Sequence, residues 1–266
     1  MGAHDISIFG LIIGYLLLLI PVAIAWWLKI KIIKSTLIAS LRMAVQLVLI
    51  GLFLEYLFKL NNPLVNISWL LVMIVVASFA MIRTSELKLK NFLLPAFASL
   101  SISTLLLLFI FNLVILDLDD IFDAKYLIAI GGMLLGNSLK ADIIGATTFY
   151  KSIRRNEVRY HYLLGNGATA FEALLPHIRE AFKNALDPFI ASMATYGIVS
   201  LPGMMTGQIL GGSSPLLAIK YQITIVAAIF VVTALSVILT ILFSLRPSFD
   251  AAGMLNKDIF REKKSK

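Results

Sequence analysis

A chain of 266 residues, 59% hydrophobic and only 14% charged, with a mean hydropathy of +0.92, is too apolar for a water-soluble domain. It contains no cysteine, which excludes disulfides and thiolate metal sites. The net charge of +8 would suit nucleic acid, but the basic residues collect between apolar runs, which is the pattern of membrane orientation, so no nucleic-acid partner is expected.

About 20 apolar residues of helix cross the hydrocarbon core. Seven spans are predicted, near 8–28, 36–58, 67–83, 92–115, 126–149, 189–212 and 217–245. The fold class is therefore all-α: a polytopic membrane protein with about seven transmembrane helices, one domain over 1–266, and a cytosolic helical coupling segment at 150–188. The first span follows no basic leader and has no small-residue cleavage site, so it reads as a retained helix rather than a signal peptide. Connections alternate in charge. Lys29, Lys31 and Lys34, then Arg83, Lys88 and Lys90, then Lys151, Arg154, Arg155, Arg159, Arg179 and Lys183, then Arg246, Lys257, Arg261, Lys263, Lys264 and Lys266 fall on one side. Only Lys59, Lys125 and Lys220 fall on the other, with the acidic stretch Asp117–Asp123. The positive-inside rule then puts the N-terminus outside and the C-terminus in the cytoplasm of a cell-membrane protein.

The second span carries Arg42 and Gln46, four residues apart and on one face. Arg42 either snorkels to the inner headgroups or forms an internal ion pair, and both readings stand at this level. Gln46 lies deeper and needs a hydrogen-bond partner, on a neighbouring helix or in a pathway. The fifth span is the least membrane-like, with Gly132, Gly136, Asn137, Lys140 and Asp142. It reads as a packed, kinked helix. Gly132 and Gly136 let a neighbour approach, Lys140 snorkels, and Lys140 and Asp142 lie near the inner end.

The segment 150–188 is too polar to span. Thr169 or its neighbours cap a helix start, with Glu172 near the positive end of its dipole. Ala173, Leu174, Ile178, Ala181, Phe182 and Ala185 recur at helical spacing, and Pro188 marks entry to the sixth span.

That sixth span is interrupted. Pro202 and Gly203, followed by Gly207, Gly211 and Gly212, break a hydrophobic run. Broken backbone at membrane depth survives only where protein or a wet cavity satisfies it, and such interruptions often mark the working part of a transporter. Met204, Met205 and Gln208 lie within it. Thioether sulfur is a soft metal ligand, but packing is the preferred reading, so no metal ligand is assigned. No Gly-x-x-x-x-Gly-Lys-Ser/Thr or His-Glu-x-x-His motif occurs, and His4, His161 and His177 are scattered. Nothing points to an enzyme.

The block Ser200-Leu-Pro-Gly-Met-Met-Thr-Gly-Gln-Ile-Leu-Gly211 is followed by Pro215, Ala218 and Tyr221-Gln-Ile223. Ahead of it come Arg42-Met-x-x-Gln-Leu-x-x-x-Gly51, Gly132-Met-x-x-Gly-Asn137 and Gly167-Ala-Thr-x-x-Glu-Ala173 with Arg179. In this order they resemble the FetB (YbbM) family. These are ABC transporter permeases, proposed iron exporters, related to plant aluminium-tolerance membrane subunits. The resemblance covers nearly the whole chain. It implies a permease homodimer in the lipid bilayer on a separate ATP-binding subunit, with ATP on that partner and no cofactor on this chain. It also implies metal efflux, iron being the family's best-known proposal. Glu172-Ala173 is similar to the start of the coupling loop of ABC importers, but Leu174 and the lack of a later glycine depart from it. Glu172, Ala173 and Arg179 become candidate ATPase contacts. Arg42, Gln46, Asn137, Pro202, Gly203, Met204, Met205, Gly207 and Gln208 become candidates for the pathway or hinge. The rival reading, an autonomous secondary transporter or channel for a metal or small solute, would need a mid-membrane carboxylate, and the central spans show no obvious one.

Overall fold

The computed structural model describes residues 4–250 and 253–261. Lys263, Lys264 and Lys266, grouped above with the basic connections, lie outside them. The helices are α1 (Ile8–Leu16), α2 (Leu19–Trp27), α3 (Ile33–Leu60), α4 (Pro63–Thr84), α5 (Leu89–Ile110), α6 (Ala124–Arg155), α7 (Glu157–Gly165), α8 (Ala170–Thr195), α9 (Gly203–Leu210) and α10 (Pro215–Ser248). Six segments are long and apolar enough to cross a membrane: α1 with α2 as one, α3, α4, α5 with its π-helical extension Phe111–Ile115, α6 and α10. The first is interrupted at Leu17 and Leu18. Pro21 has no amide hydrogen for the Leu17 carbonyl, which accounts for the kink.

The core is a bundle of α4, α5, α6 and α10, with α8 packed on α6 and α10. At one end Leu70, Leu100, Leu107, Phe111, Leu134 and Val232 are buried together, and at the other Phe92, Phe149, Tyr150, Ile153, Ala181 and Ile241. Fully burying a large apolar side chain is worth roughly 1.5–3 kcal/mol in water. Within lipid the gain comes from close packing instead, which small residues permit. Gly131 and Gly145 do this on α6. A Cβ at Gly131 would lie 2.8 Å from Leu108 Cδ1, and one at Gly145 2.9 Å from Val237 Cγ1. The pair singled out above behaves differently. Gly132 would meet only the flexible end of Met73, and nothing lies within 4 Å of a Cβ on Gly136.

Two ends can be told apart. At the acidic end, Asn61 closes α3 in the left-handed conformation (φ 37°) and its Oδ1 accepts from Ala124 N at 2.8 Å, tying α3 to α6. At the basic end, the α4–α5 turn pairs with the C-terminal tail: Lys88 N donates to Ile259 O at 2.9 Å and Arg261 N to Glu86 O at 2.8 Å. Tyr160 on α7 donates to Gly253 O at 2.7 Å. The connections after α4, α6 and α10 therefore share one end, as their charge requires.

The sixth predicted span, 189–212, is not one helix. α8 runs unbroken through Pro176 and Pro188, so Pro188 is interior to a helix that begins at Ala170, not an entry point. The stretch is instead two pieces, the C-terminal half of α8 and the short α9, separated by residues 196–202.

Candidate functional site

The interruption has a defined geometry. Tyr196 ends α8 in extended backbone and Gly197 turns left-handed (φ 84°), a conformation open to glycine without strain. Gly197 N then donates to Ser200 O at 2.9 Å. Pro202 is the N-cap of α9 but supplies no side-chain acceptor, so the first amides of α9 lack a cap. Ile198 and Val199 are 91% and 78% exposed.

The depth of the break follows from its neighbours. α6 and α8 are antiparallel, with Ser152 beside His177 and a Gly145 Cβ within 3.6 Å of Ala185. Asn137 lies about 20 Å along α6 from its acidic end at about 1.5 Å per residue, and Tyr196 is at the same level. Asn137, Lys140, Ser192, Tyr196 and Thr233 line a cavity of about 330 Å³ there, between α6, α8 and α10. The Asn137 amide donates to its own helix at Met133 O, 2.8 Å, leaving its oxygen free to face the cavity.

The other candidates divide. Met204 packs on the bundle core, as the packing reading expects, and Gln208 Oε1 is buried without a partner. Gly203 and Gly207 have nothing within 4 Å of a Cβ, so a side chain on their bare stripe would meet open space among the described residues. Arg42 and Gln46 lie exposed on α3, away from the break. Gln46 lines a separate apolar groove of about 770 Å³ against α4 and α6, floored by Gly132 and Gly136. Arg42 forms no ion pair within the described residues, so the internal pair is not made inside one chain.

At the start of α8 the candidate coupling residues also separate. Thr169 and Glu172 form a reciprocal cap. Glu172 Oε2 accepts from Thr169 N at 2.8 Å and from its hydroxyl at 2.7 Å, while Glu172 N donates to Thr169 Oγ1 at 3.3 Å. These bonds from Thr169 hold the Glu172 carboxyl below its ordinary pKa. Glu172 and Arg179 share an exposed face, whereas Ala173 is buried against the bundle.

A link between α6 and α8 was not foreseen. Ser152 Oγ donates to Glu180 Oε2 at 2.5 Å and lies 2.8 Å from His177 Nδ1, and Arg155 reaches Glu180 at 3.5 Å. Burial is the main influence on His177 and lowers its pKa, against the opposing pull of Glu180. Ser152, His177 and Glu180 lie on two helices with no motif spacing, so no signal in the sequence joins them. The burial of Asp142 was also not foreseen. It is only 1% exposed, inside the α6–α10 contact. The periodic hydroxyls of α10 were the available signal for it.

Among the described residues, no three His, Asp or Glu side chains converge as metal ligands. What the site offers is a mid-depth cavity beside unpaired helix ends, which suits passage of a solute rather than bond chemistry.

A helical bundle with six membrane-length segments among the described residues defines a polytopic integral membrane protein. The chain belongs to the uncharacterised protein family UPF0014, whose model matches residues 8–249. It is 33% identical over 230 residues to UPF0014 membrane protein slr1647 of Synechocystis, covering 85% of this chain and 88% of that one. It is 27% identical over 255 residues to the probable iron export permease protein FetB of Escherichia coli, covering 96% and 97%. It is also 34% identical over 185 residues to the protein ALUMINUM SENSITIVE 3 of Arabidopsis thaliana, covering 69% and 66%. No solved structure matches the chain.

Proposed function

We propose that this chain is the membrane-spanning permease subunit of an ATP-driven transporter, moving metal ions such as iron outward. The observation that carries the reading is the interrupted crossing. Residues 196–202 present irregular backbone and bare apolar side chains at mid-depth, beside a polar cavity. Lipid cannot satisfy such backbone, so a second protein surface or water must cover it. A permease homodimer with the two breaks facing a shared pathway meets that need and gives the exposed Arg42 and Gln46 a neighbouring chain to pair with. The name of the Escherichia coli relative, a probable iron export permease, supports the substrate class.

Coupling runs through α8. Its capped start bears the exposed Glu172 and Arg179, and its far end is the break. Helix α8 spans about 39 Å at about 1.5 Å per residue, so a tilt imposed at Ala170 by an ATP-binding subunit moves Thr195 directly. The experiment is tandem purification of the tagged chain from its own membrane, followed by measurement of ATP-dependent metal efflux in proteoliposomes. Recovery of an ATP-binding subunit, with efflux that needs both, supports the reading. Metal movement by the chain alone, driven by an ion gradient without ATP, replaces it with the secondary-transporter reading.

A further inference from the structure

Helix α10 carries hydroxyls at Thr233, Ser236, Thr240, Ser244 and Ser248, spaced three or four residues apart and therefore on one face. All five are buried. That face meets polar groups of α5 and α6. Ser236 Oγ donates to Asp142 Oδ2 at 2.6 Å. Thr240 follows Ser236 by one turn on the same face, and its Oγ1 lies 2.6 Å from Ser99 Oγ. The Tyr150 hydroxyl donates to Ser244 Oγ at 2.7 Å and lies 2.8 Å from Ser248 Oγ. The seam ends in cavities at both extremes. Thr233 is on the wall of the mid-depth cavity, and Tyr150 is on the wall of one of about 790 Å³ at the basic end.

Three oxygens in this seam have no partner: Asp142 Oδ1, Ser138 Oγ and Thr233 Oγ1. Ser138 is one turn before Asp142 on α6, and Thr233 is one turn before Ser236 on α10. Because the two helices run parallel, with 142 beside 236, 145 beside 237 and 150 beside 244, all three sit on the same side of the Asp142–Ser236 bond. Buried oxygens left unpaired in a group call for a bound species. Among the described residues no cation is paired with them. On the packed helices, Lys140 lines the mid-depth cavity with Thr233 but is exposed and makes no ion pair with the buried Asp142, Lys183 is bonded to Asp187 on α8, Arg83 is exposed at the end of α4, and Tyr150 is engaged with α10. The stretches of α5 and α10 at this level contribute hydroxyls only.

An ionised carboxylate buried without a counter-charge is heavily penalised, and taking up a proton relieves it. We propose that Asp142 is a proton-binding site of the transport cycle, occupied in this conformation. Its proton exchanges with the basic end along Thr240, Ser99, Ser244, Ser248 and Tyr150. Water at the three unpaired oxygens extends the track towards the break. Separation of α6 from α10 would expose the carboxyl and release the proton, linking metal movement to protons. The site rests on the bundle alone and is independent of ATP coupling.

The test is infrared spectroscopy of the purified chain in lipid nanodiscs at neutral pH, with and without carbon-13-labelled aspartate. The other aspartates in the described residues are exposed or half-buried, so a protonated carboxyl band that moves with the label reports Asp142. The expected result is such a band, lost in Asp142→Asn, shifted by heavy water, and exchanging severalfold more slowly in the Ser244→Ala, Ser248→Ala double variant. The isotope label keeps the test open if Asp142→Asn fails to fold. Absence of the band at neutral pH overturns the proposal, as does a band that never responds to heavy water. Unaltered exchange in the double variant overturns the route.

Discussion

At Gly145 a side chain would collide with Val237 on α10, while at Gly136, nine residues earlier on the same helix, it would meet open space. Substitution by leucine separates the two. Gly145→Leu should cost roughly 1–3 kcal/mol or more by overpacking. Gly136→Leu should leave the thermal unfolding midpoint in detergent unchanged. Equal losses would mean that the α6–α10 approach is not what stabilises the bundle. The spacing of Gly132 and Gly136 was legible in the sequence, but which glycines lie against a neighbour depends on how far α6 is rotated, and local spacing carries no such information. Asp142 was obscured for the same reason. Two residues after Lys140, it turns into the bundle while Lys140 turns out. Asn61, by contrast, shows its role in its chemistry, as a residue that tolerates left-handed backbone where a helix must stop. Asn61→Ala should lose the left-handed cap and the bond to Ala124, at a cost of about 1–3 kcal/mol, measured by the same unfolding assay.

Helix α8 joins the exposed Glu172 and Arg179 face to the break, so its attachment to α6 matters more than its own cap. The pH dependence of that attachment has a definite sign. Burial holds His177 neutral below its ordinary pKa of 6.5. The stability it contributes is complete above about 6.5 and is lost as pH falls below it, because the unfolded chain binds the proton more readily. Amide hydrogen exchange in residues 170–187 should therefore accelerate on acidification through that range, after correction for intrinsic rates, and His177→Gln should flatten the response. A wild-type profile without this step would remove His177 from the link. Helix α9 makes a different prediction. A Cβ at Gly207 would meet nothing within 4 Å among the described residues, so Gly207→Val should leave the isolated chain as stable as wild type yet abolish transport at matched membrane levels. Met205→Leu, which keeps the volume, should be mild. Inactivity of Met205→Leu alone would favour a metal-binding sulfur. The interruption itself was legible, because Pro202 and five nearby glycines conflict with any continuous helix. The persistence of α8 through Pro188 was not, since packing on α6 and α10 outweighs one missing backbone bond.

At the scale of the whole molecule, the long faces of α1, α2 and α3 are nearly bare, with Leu47, Val48, Leu49 and Leu52 all exposed. In a bilayer lipid covers them, and no aqueous protein could leave them open. The charge division predicts an external N-terminus. The native chain has no cysteine, so single cysteines at Asp5, Asn62 and Asp120 should react with an impermeant thiol reagent in intact cells, and one at Tyr162 on α7 should not. The reverse pattern would invert the topology and, with it, the side on which the proposed ATP-binding subunit would meet α8. The most direct measurement concerns the break as a wet, moving pathway. Cysteines at Val199 and Ser200 should react with a water-soluble, membrane-impermeant thiol reagent, while cysteines at the lipid-facing Val48 and Phe109 stay inert, and ATP binding by the partner should change the side from which Val199 and Ser200 are reached. If these two remain as unreactive as Val48 in every state, the interruption is sealed and residues 196–202 are not the transport pathway.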